Sequence, residues 1–250
     1  MKSPKPGLAL VLSLAAFSAA PATAGQTSVA VAANFTEPAK EIASLFKLKT
    51  GHEAVLSFGT SGQFYTQIAQ DAPFQVFLSA DDKRPKDAVD AGLAVADSRF
   101  TYAIGKLVLW SKNLDLTKGD EILKANAFVI LAIANPVAAP YGAAAIEAMK
   151  SLGVYEAIQP KIVQGASITQ AFQFVDTNNA ELGFVALSQL ANVATGSRWT
   201  PPQDLYKPIL QDAVLLKKGA DNEASKAFVA FLKSAEARAV IEKFGYALTH

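Results

Sequence analysis

Apolar positions along this chain follow two alternating rhythms. Residues 28–33 read SVAVAA, an apolar run of strand length, and behind it Ala39, Ile42, Ala43 and Phe46 recur at the spacing of one helix face. Residues 54–58 predict a second strand that ends in the turn Gly59-Thr60-Ser61-Gly62, residues 63–70 a helix, and residues 74–78 a third strand. Gly51 and Gly92 are placed to close the first and third helices. Strand–helix–strand units with short connections predict a mainly parallel sheet covered by helices on both faces.

After Tyr102 the pattern starts again. Residues 107–110 form an apolar strand, residues 128–134 a buried one, residues 143–152 a helix, residues 182–185 another strand and residues 212–216 a returning strand. From Glu223 onward the chain is helical, with Phe228, Phe231 and Leu232 on one face that is expected to pack back on the first half. A chain crossing twice between two lobes would look like this, and so would one large α/β domain.

Lys2 and Lys5 precede an apolar run over residues 7–20, and Ala22-Thr23-Ala24 supplies small residues for a signal-peptidase cut after Ala24. The run is shorter than the roughly 20 apolar residues of a membrane span. The expected leader, residues 1–24, carries two lysines and no acids, so the chain beyond it has 21 basic and 22 acidic residues, net −1. No basic patch points to nucleic acid. With 51% hydrophobic and 18% charged residues the chain can bury a large interior, and with no cysteine it has neither a disulfide nor a thiolate nucleophile.

Histidine occurs twice, at His52 and His250, so neither a histidine metal cluster nor a serine–histidine triad assembles readily, and His52 is expected to be a solvated loop residue. The turn at residues 59–62 lacks the spacing of a G-x-S-x-G elbow, and the chain has no phosphate-binding G-x-x-x-x-G-K motif. The acidic pair Asp81-Asp82 is expected to cap the helix behind it. What recurs instead is a small polar residue where a strand gives way to a helix: Asn34, Ser61, Tyr141-Gly142 and Ser167-Ile168. Each such turn presents unpaired backbone N–H groups and the positive end of a helix dipole, which suits an anion. Ordinary helix capping is the competing explanation at any single turn.

Segments spread through the chain resemble, in order, those of periplasmic molybdate-binding proteins, the ModA family: AANF at 32–35, SFGTSG at 57–62, LSADD at 78–82, ANP at 134–136, APYG at 139–142, LGFVALSQ at 182–189 and KFGY at 243–246. The resemblance implies an α/β fold of the two-lobe type II periplasmic binding-protein class, with two hinge crossings that place residues 25–104 with 210–250 in one lobe and 105–209 in the other. It implies a monomeric periplasmic protein that is not an enzyme and has no cofactor. Its ligand would be molybdate or tungstate, molybdenum entering only as the oxyanion, delivered to an inner-membrane ABC transporter permease. Carried over by position, the ligand-binding residues would be Ala33, Asn34, Ser61, Tyr141 and Ile168. Some members place a hydroxyl-donating tyrosine where this chain has Ala186, which leaves that donor missing. Sulfate, phosphate or an organic acid is the alternative ligand. A secreted hydrolase on the same scaffold is the second alternative, and it lacks an evident base beside Ser61.

Overall fold

The computed structural model describes residues 24–249; the expected leader, apart from Ala24, and His250 lie outside the described residues. The first half runs β1 (Gln26–Ala32), a single 3-10 turn (Ala33–Phe35), α1 (Thr36–Thr50), β2 (Glu53–Gly59), α2 (Ser61–Ala69), β3 (Val76–Leu78), α3 (Lys83–Asp90) and β4 (Phe100–Gly105). The chain then passes directly into β5 (Leu107–Ser111), α4 (Glu121–Ala125), β6 (Leu131–Ala134), α5 (Pro140–Ser151), α6 (Tyr155–Ile158), β7 (Ile162–Gly165), α7 (Ile168–Asp176), β8 (Leu182–Ala186) and β9 (Ser197–Trp199). It returns through β10 (Ile209–Leu215) and finishes with α8 (Glu223–Phe231) and α9 (Ala235–Lys243).

The strands form two five-stranded sheets, ordered β2-β1-β3-β10-β4 and β7-β6-β8-β5-β9. Each is mixed rather than mainly parallel. β1 pairs parallel with β2 and β3, and β6 with β7 and β8, because helical crossovers join those strands. β10 pairs antiparallel with β3 and β4, and β5 antiparallel with β8 and β9, because these strands enter their sheets on the passages between the two halves. The result is a two-lobe α/β molecule.

Alternation along the strands divides each lobe's core. Val29 and Val31 join Phe35, Ile42, Phe46 and Phe228 on one side of the first sheet, while Ala30 joins Phe64, Ile68 and Phe77 on the other. Leu107 and Leu109 likewise face Ile133, Met149 and Phe184, with Val108 and Trp110 on the opposite side. Each large side chain removed from water here contributes about 1.5–3 kcal/mol before chain entropy is charged. The expected return of the C-terminal helices is observed: α8 packs on β1, and the Phe228 ring meets Phe46 edge-on at 5.2 Å.

Several local expectations change, among them the strand at 74–78, which is confined to Val76–Leu78, and the helix at 63–70, which starts at Ser61. The strand expected over residues 128–134 begins at Leu131, because the N–H groups of Val129 and Ile130 are taken by the Glu181 carboxylate, which leaves both side chains exposed. The returning strand begins at Ile209, three residues before the expected Asp212. His52 is not a freely solvated loop residue, since its Nδ1 accepts the Gly25 N–H at 2.9 Å and its ring packs near Phe46. Gly51, at φ 76°, closes α1 as expected, and Gly92, at φ 70°, follows the end of α3.

Candidate functional site

The carboxyl ends of β1, β2, β6 and β7 point toward one another across the gap between the sheets, and a helical turn starts at each. The four turns enclose a small pocket lined by Ala33, Asn34, Ser61, Tyr141 and Ile168, all five residues singled out in the sequence. Gly59, Thr60, Ala80 and Pro140 fill the walls between them, and no ionisable carboxylate, ammonium or guanidinium lines it. Its cavity volume is about 10 Å³, far below the ~300–1,000 Å³ of pockets for drug-sized ligands.

Capping separates the residues that build the turns from those that face the pocket. Thr60, not Ser61, is the N-cap of α2: its hydroxyl accepts the Gln63 N–H at 3.2 Å, and the Gln63 side chain accepts the Thr60 N–H at 3.3 Å. Ser61 is therefore the first helical residue. Its Oγ accepts the Ala80 N–H at 2.8 Å, an arrangement that fills a lone pair and leaves the hydroxyl proton to donate. Ser167 similarly caps α7 by accepting the Gln170 N–H at 3.2 Å, which puts Ile168 at the first helical position. The helix expected to begin at Ala143 begins at Pro140, so Tyr141 sits inside its first turn. At these positions the N–H groups of Ser61, Tyr141 and Ile168 have no intrahelical acceptor. No loop or side-chain acceptor among the described residues takes them either.

Gly142 explains how α5 comes so close. A Cβ there would lie 2.1 Å from the Ala134 carbonyl oxygen, so only glycine lets the helix start against the end of β6. Asn34 is buried, but its side chain is engaged: Nδ2 donates to Gln211 Oε1 and to the Tyr246 hydroxyl, each at 2.9 Å. The Tyr141 ring is also buried, and its hydroxyl accepts from Gln211 Nε2 at 3.2 Å. Burial holds the Tyr141 phenol well above its usual pKa and raises that of Tyr246, so both keep their protons. Ala186 ends β8 away from the pocket lining, and its methyl carries no donor.

Two further contacts cross the gap beside the pocket. Gly62 donates its N–H to the Ala138 carbonyl at 3.1 Å, and Arg84 donates from Nη2 to the Val137 carbonyl at 2.8 Å. Arg84 is held for this by an ion pair with Asp81, whose Oδ1 also accepts the Arg84 N–H at 2.8 Å. Asp81 thus caps α3, as expected of the acidic pair; Asp82 occupies the N-cap position without a side-chain cap bond. The residues that sequence reasoning passed over are Gln211, Tyr246 and Ser188. Tyr246 and Ser188 fall inside the segments KFGY and LGFVALSQ, whereas Gln211 belongs to no motif.

A family model described as bacterial extracellular solute-binding protein matches residues 27–247. The chain is 59% identical over 242 residues to the molybdate-binding protein ModA of Rhodobacter capsulatus, an alignment covering 96% of this chain and 93% of that one. It is 54% identical over 231 residues to the molybdate-binding protein ModA of Azotobacter vinelandii, covering 91% and 92%. The solved structure of the Azotobacter vinelandii periplasmic molybdate-binding protein superposes with a TM-score of 0.86 at 40% identity, covering 90% of this chain and all of that one.

Proposed function

The chain belongs to the ModA family of bacterial extracellular solute-binding proteins, and from that premise we propose that Ala33, Asn34, Ser61, Tyr141 and Ile168 hold the molybdate it binds. It is a periplasmic binding protein for molybdate or tungstate, uses no cofactor, is not an enzyme, and works with an ABC transporter. The observation that carries the site assignment is a small pocket without ionised side chains, walled by helix starts from both sheets. N–H and O–H donors bind the oxygens of an oxyanion and not a bare metal ion, so molybdenum enters as its tetraoxo dianion. Convergent hydrogen bonds to a charged acceptor replace its water shell without a buried counter-charge. In this assignment Ser61 donates both N–H and hydroxyl, and Tyr141 and Ile168 donate N–H groups. Asn34 likewise contributes through its backbone, with Ala33 beside it, since its Nδ2 is occupied. The role of Tyr141 needs no phenol in the pocket, and Ala186 is simply not a ligand.

The lobes are assigned as residues 25–104 with 210–250 and residues 105–209, following removal of a leader at 1–24; the grouping of strands between the two sheets supports this division. The protein acts as a monomer whose two lobes together present a surface to a dedicated permease. Calorimetric titration with molybdate, tungstate, sulfate and phosphate in turn tests the ligand assignment. Molybdate and tungstate are expected to bind far more tightly than the smaller sulfate, because donors fixed at helix starts do not follow a shorter anion inward. Sulfate binding as tight as molybdate would overturn the assignment.

A further inference from the structure

Outside the pocket lining lies a cluster of buried neutral side chains that joins the two lobes. Gln211, in β10, is fully buried and uses both ends of its amide. Its Oε1 accepts from Asn34 Nδ2 at 2.9 Å and lies 3.1 Å from the Tyr102 hydroxyl, while its Nε2 donates to the Tyr141 hydroxyl at 3.2 Å. Asn34 and Tyr141 line the pocket from opposite sheets, so one side chain spans both walls of the site. The Asn34 peptide is gripped again by Ser188, which follows β8 in the other half and donates its hydroxyl to the Asn34 carbonyl at 2.8 Å. Tyr246 stands at the same junction, 2.8 Å from that carbonyl and 3.0 Å from Ser188 Oγ.

The strand that leaves the first sheet makes room for this cluster. A Cβ at Gly105 would fall 2.2 Å from the Tyr141 hydroxyl and 2.6 Å from Gln211 Nε2, so the passage between the halves runs against these groups with nothing but hydrogen between. Three links of this cluster, Gln211 to Tyr141, Ser188 to Asn34 and Tyr246 to Ser188, join residues of different halves and require the halves to be together. A ligand whose donors come from both halves binds with an apparent affinity scaled by the fraction of molecules already in the competent arrangement.

We propose that Gln211 and Ser188 are positioning residues for the anion site, touching no anion themselves but holding the Asn34 and Tyr141 turns at the separation that the closed pocket requires. The inference rests on the assignment of Asn34 and Tyr141 as ligand-binding residues. Both residues stabilise the closed form, so their loss acts on escape of the ligand, whereas encounter with the open form is unchanged. Gln211→Met keeps the length of the side chain and removes the links. It is expected to weaken molybdate binding about tenfold or more, the scale of lost hydrogen bonds at a desolvated site. The change is expected in the dissociation rate, with the association rate within about threefold of the parent. Because Gln211 acts through the Tyr141 hydroxyl, adding Tyr141→Phe to Gln211→Met is expected to cost less than about twofold more.

A side chain that merely stabilises its own lobe would lower the melting temperature, leave the dissociation rate alone and give an additive cycle. Ser188→Ala supplies an independent reading should Gln211→Met fail to fold, and Ser188→Thr, which retains the hydroxyl, is expected to restore slow dissociation. Parental dissociation rates in Ser188→Ala and in any folded Gln211→Met, or additive effects in the cycle, would overturn the proposal. Absence of molybdate binding by the parent protein would instead overturn the site assignment itself, so the two failures are distinct.

Discussion

Ser61 shows how one hydroxyl would serve structure and, in the proposed site, ligand together. Its oxygen accepts the buried Ala80 N–H, and its proton remains for an acceptor in the pocket. Ser61→Ala is therefore expected to do two separable things. Loss of a hydrogen bond to a charged group, about 1.5–3 kcal/mol, weakens molybdate roughly ten- to 150-fold by titration. The ligand-free protein also melts at lower temperature, because the Ala80 N–H loses its acceptor at a cost of about 1–3 kcal/mol. Affinity unchanged beside a lowered melting temperature would leave Ser61 a structural role alone. Turn residues such as Ser61 and Ile168 could be picked out in the sequence because the signal is local: a strand ends, a helix starts, and a cap stands next to it. Gln211 could not. It is one amide in a mostly apolar strand, next to the charged Asp212, and its partners Asn34 and Tyr141 are 177 and 70 residues away in the chain, a separation that no window of periodicity spans.

At the scale of elements, the site depends on how closely helices can begin against strands. Gly142→Ala places a methyl against the Ala134 carbonyl, where it would overlap backbone that no rotamer change relieves. The substitution is expected to destabilise the protein by about 1–3 kcal/mol in denaturant unfolding and to lower molybdate affinity by moving the Tyr141 N–H. Wild-type stability would mean that α5 can shift without consequence. Asp212, just past a register shift in β10, adds a pH dependence. Asp212 is buried, and burial raises its pKa against the opposing pull of the Thr101 hydroxyl and the Arg99 guanidinium. The folded state then holds this proton more tightly than the unfolded chain. In the window from the unfolded pKa up to the raised folded value, the Asp212 contribution to stability falls as pH rises. Asp212→Asn removes that contribution, so melting temperatures of variant and parent, compared from pH 4 to 7, are expected to diverge in slope; identical slopes would refute it. Elements with strong periodicity, β1, α1 and β5, were legible from the sequence. β4, whose FTYAIG mixes polar and small residues, and the start of β6, where Glu181 captures two backbone donors, depend on contacts that the pattern does not carry.

For the whole molecule, the question is what binding does to the relation between lobes. Two lobes alternating with helices were legible, but the alternative of one large domain was resolved by strand pairing between residues far apart, β10 with β3 and β4, which the linear pattern leaves open. In the structure the lobes touch beside the pocket through Gly62 to Ala138 and Arg84 to Val137. The second contact uses an arginine already oriented by Asp81, so little side-chain freedom is lost when it forms. In the proposed site a dianion held by N–H groups from both lobes favours this arrangement over an open one, because an open form offers it the donors of only one lobe at a time. Saturating molybdate is therefore expected to reduce the radius of gyration in solution scattering and to raise the melting temperature with the logarithm of free ligand concentration. Arg84→Ala leaves the pocket lining intact and removes one clasp. It is expected to speed molybdate dissociation severalfold, with the ligand-induced compaction preserved, since the anion still bridges the lobes. Scattering profiles that coincide with and without molybdate, in a protein that calorimetry shows to be saturated, would mean that the lobes are fixed together and that the clasp guards an entrance without moving a hinge.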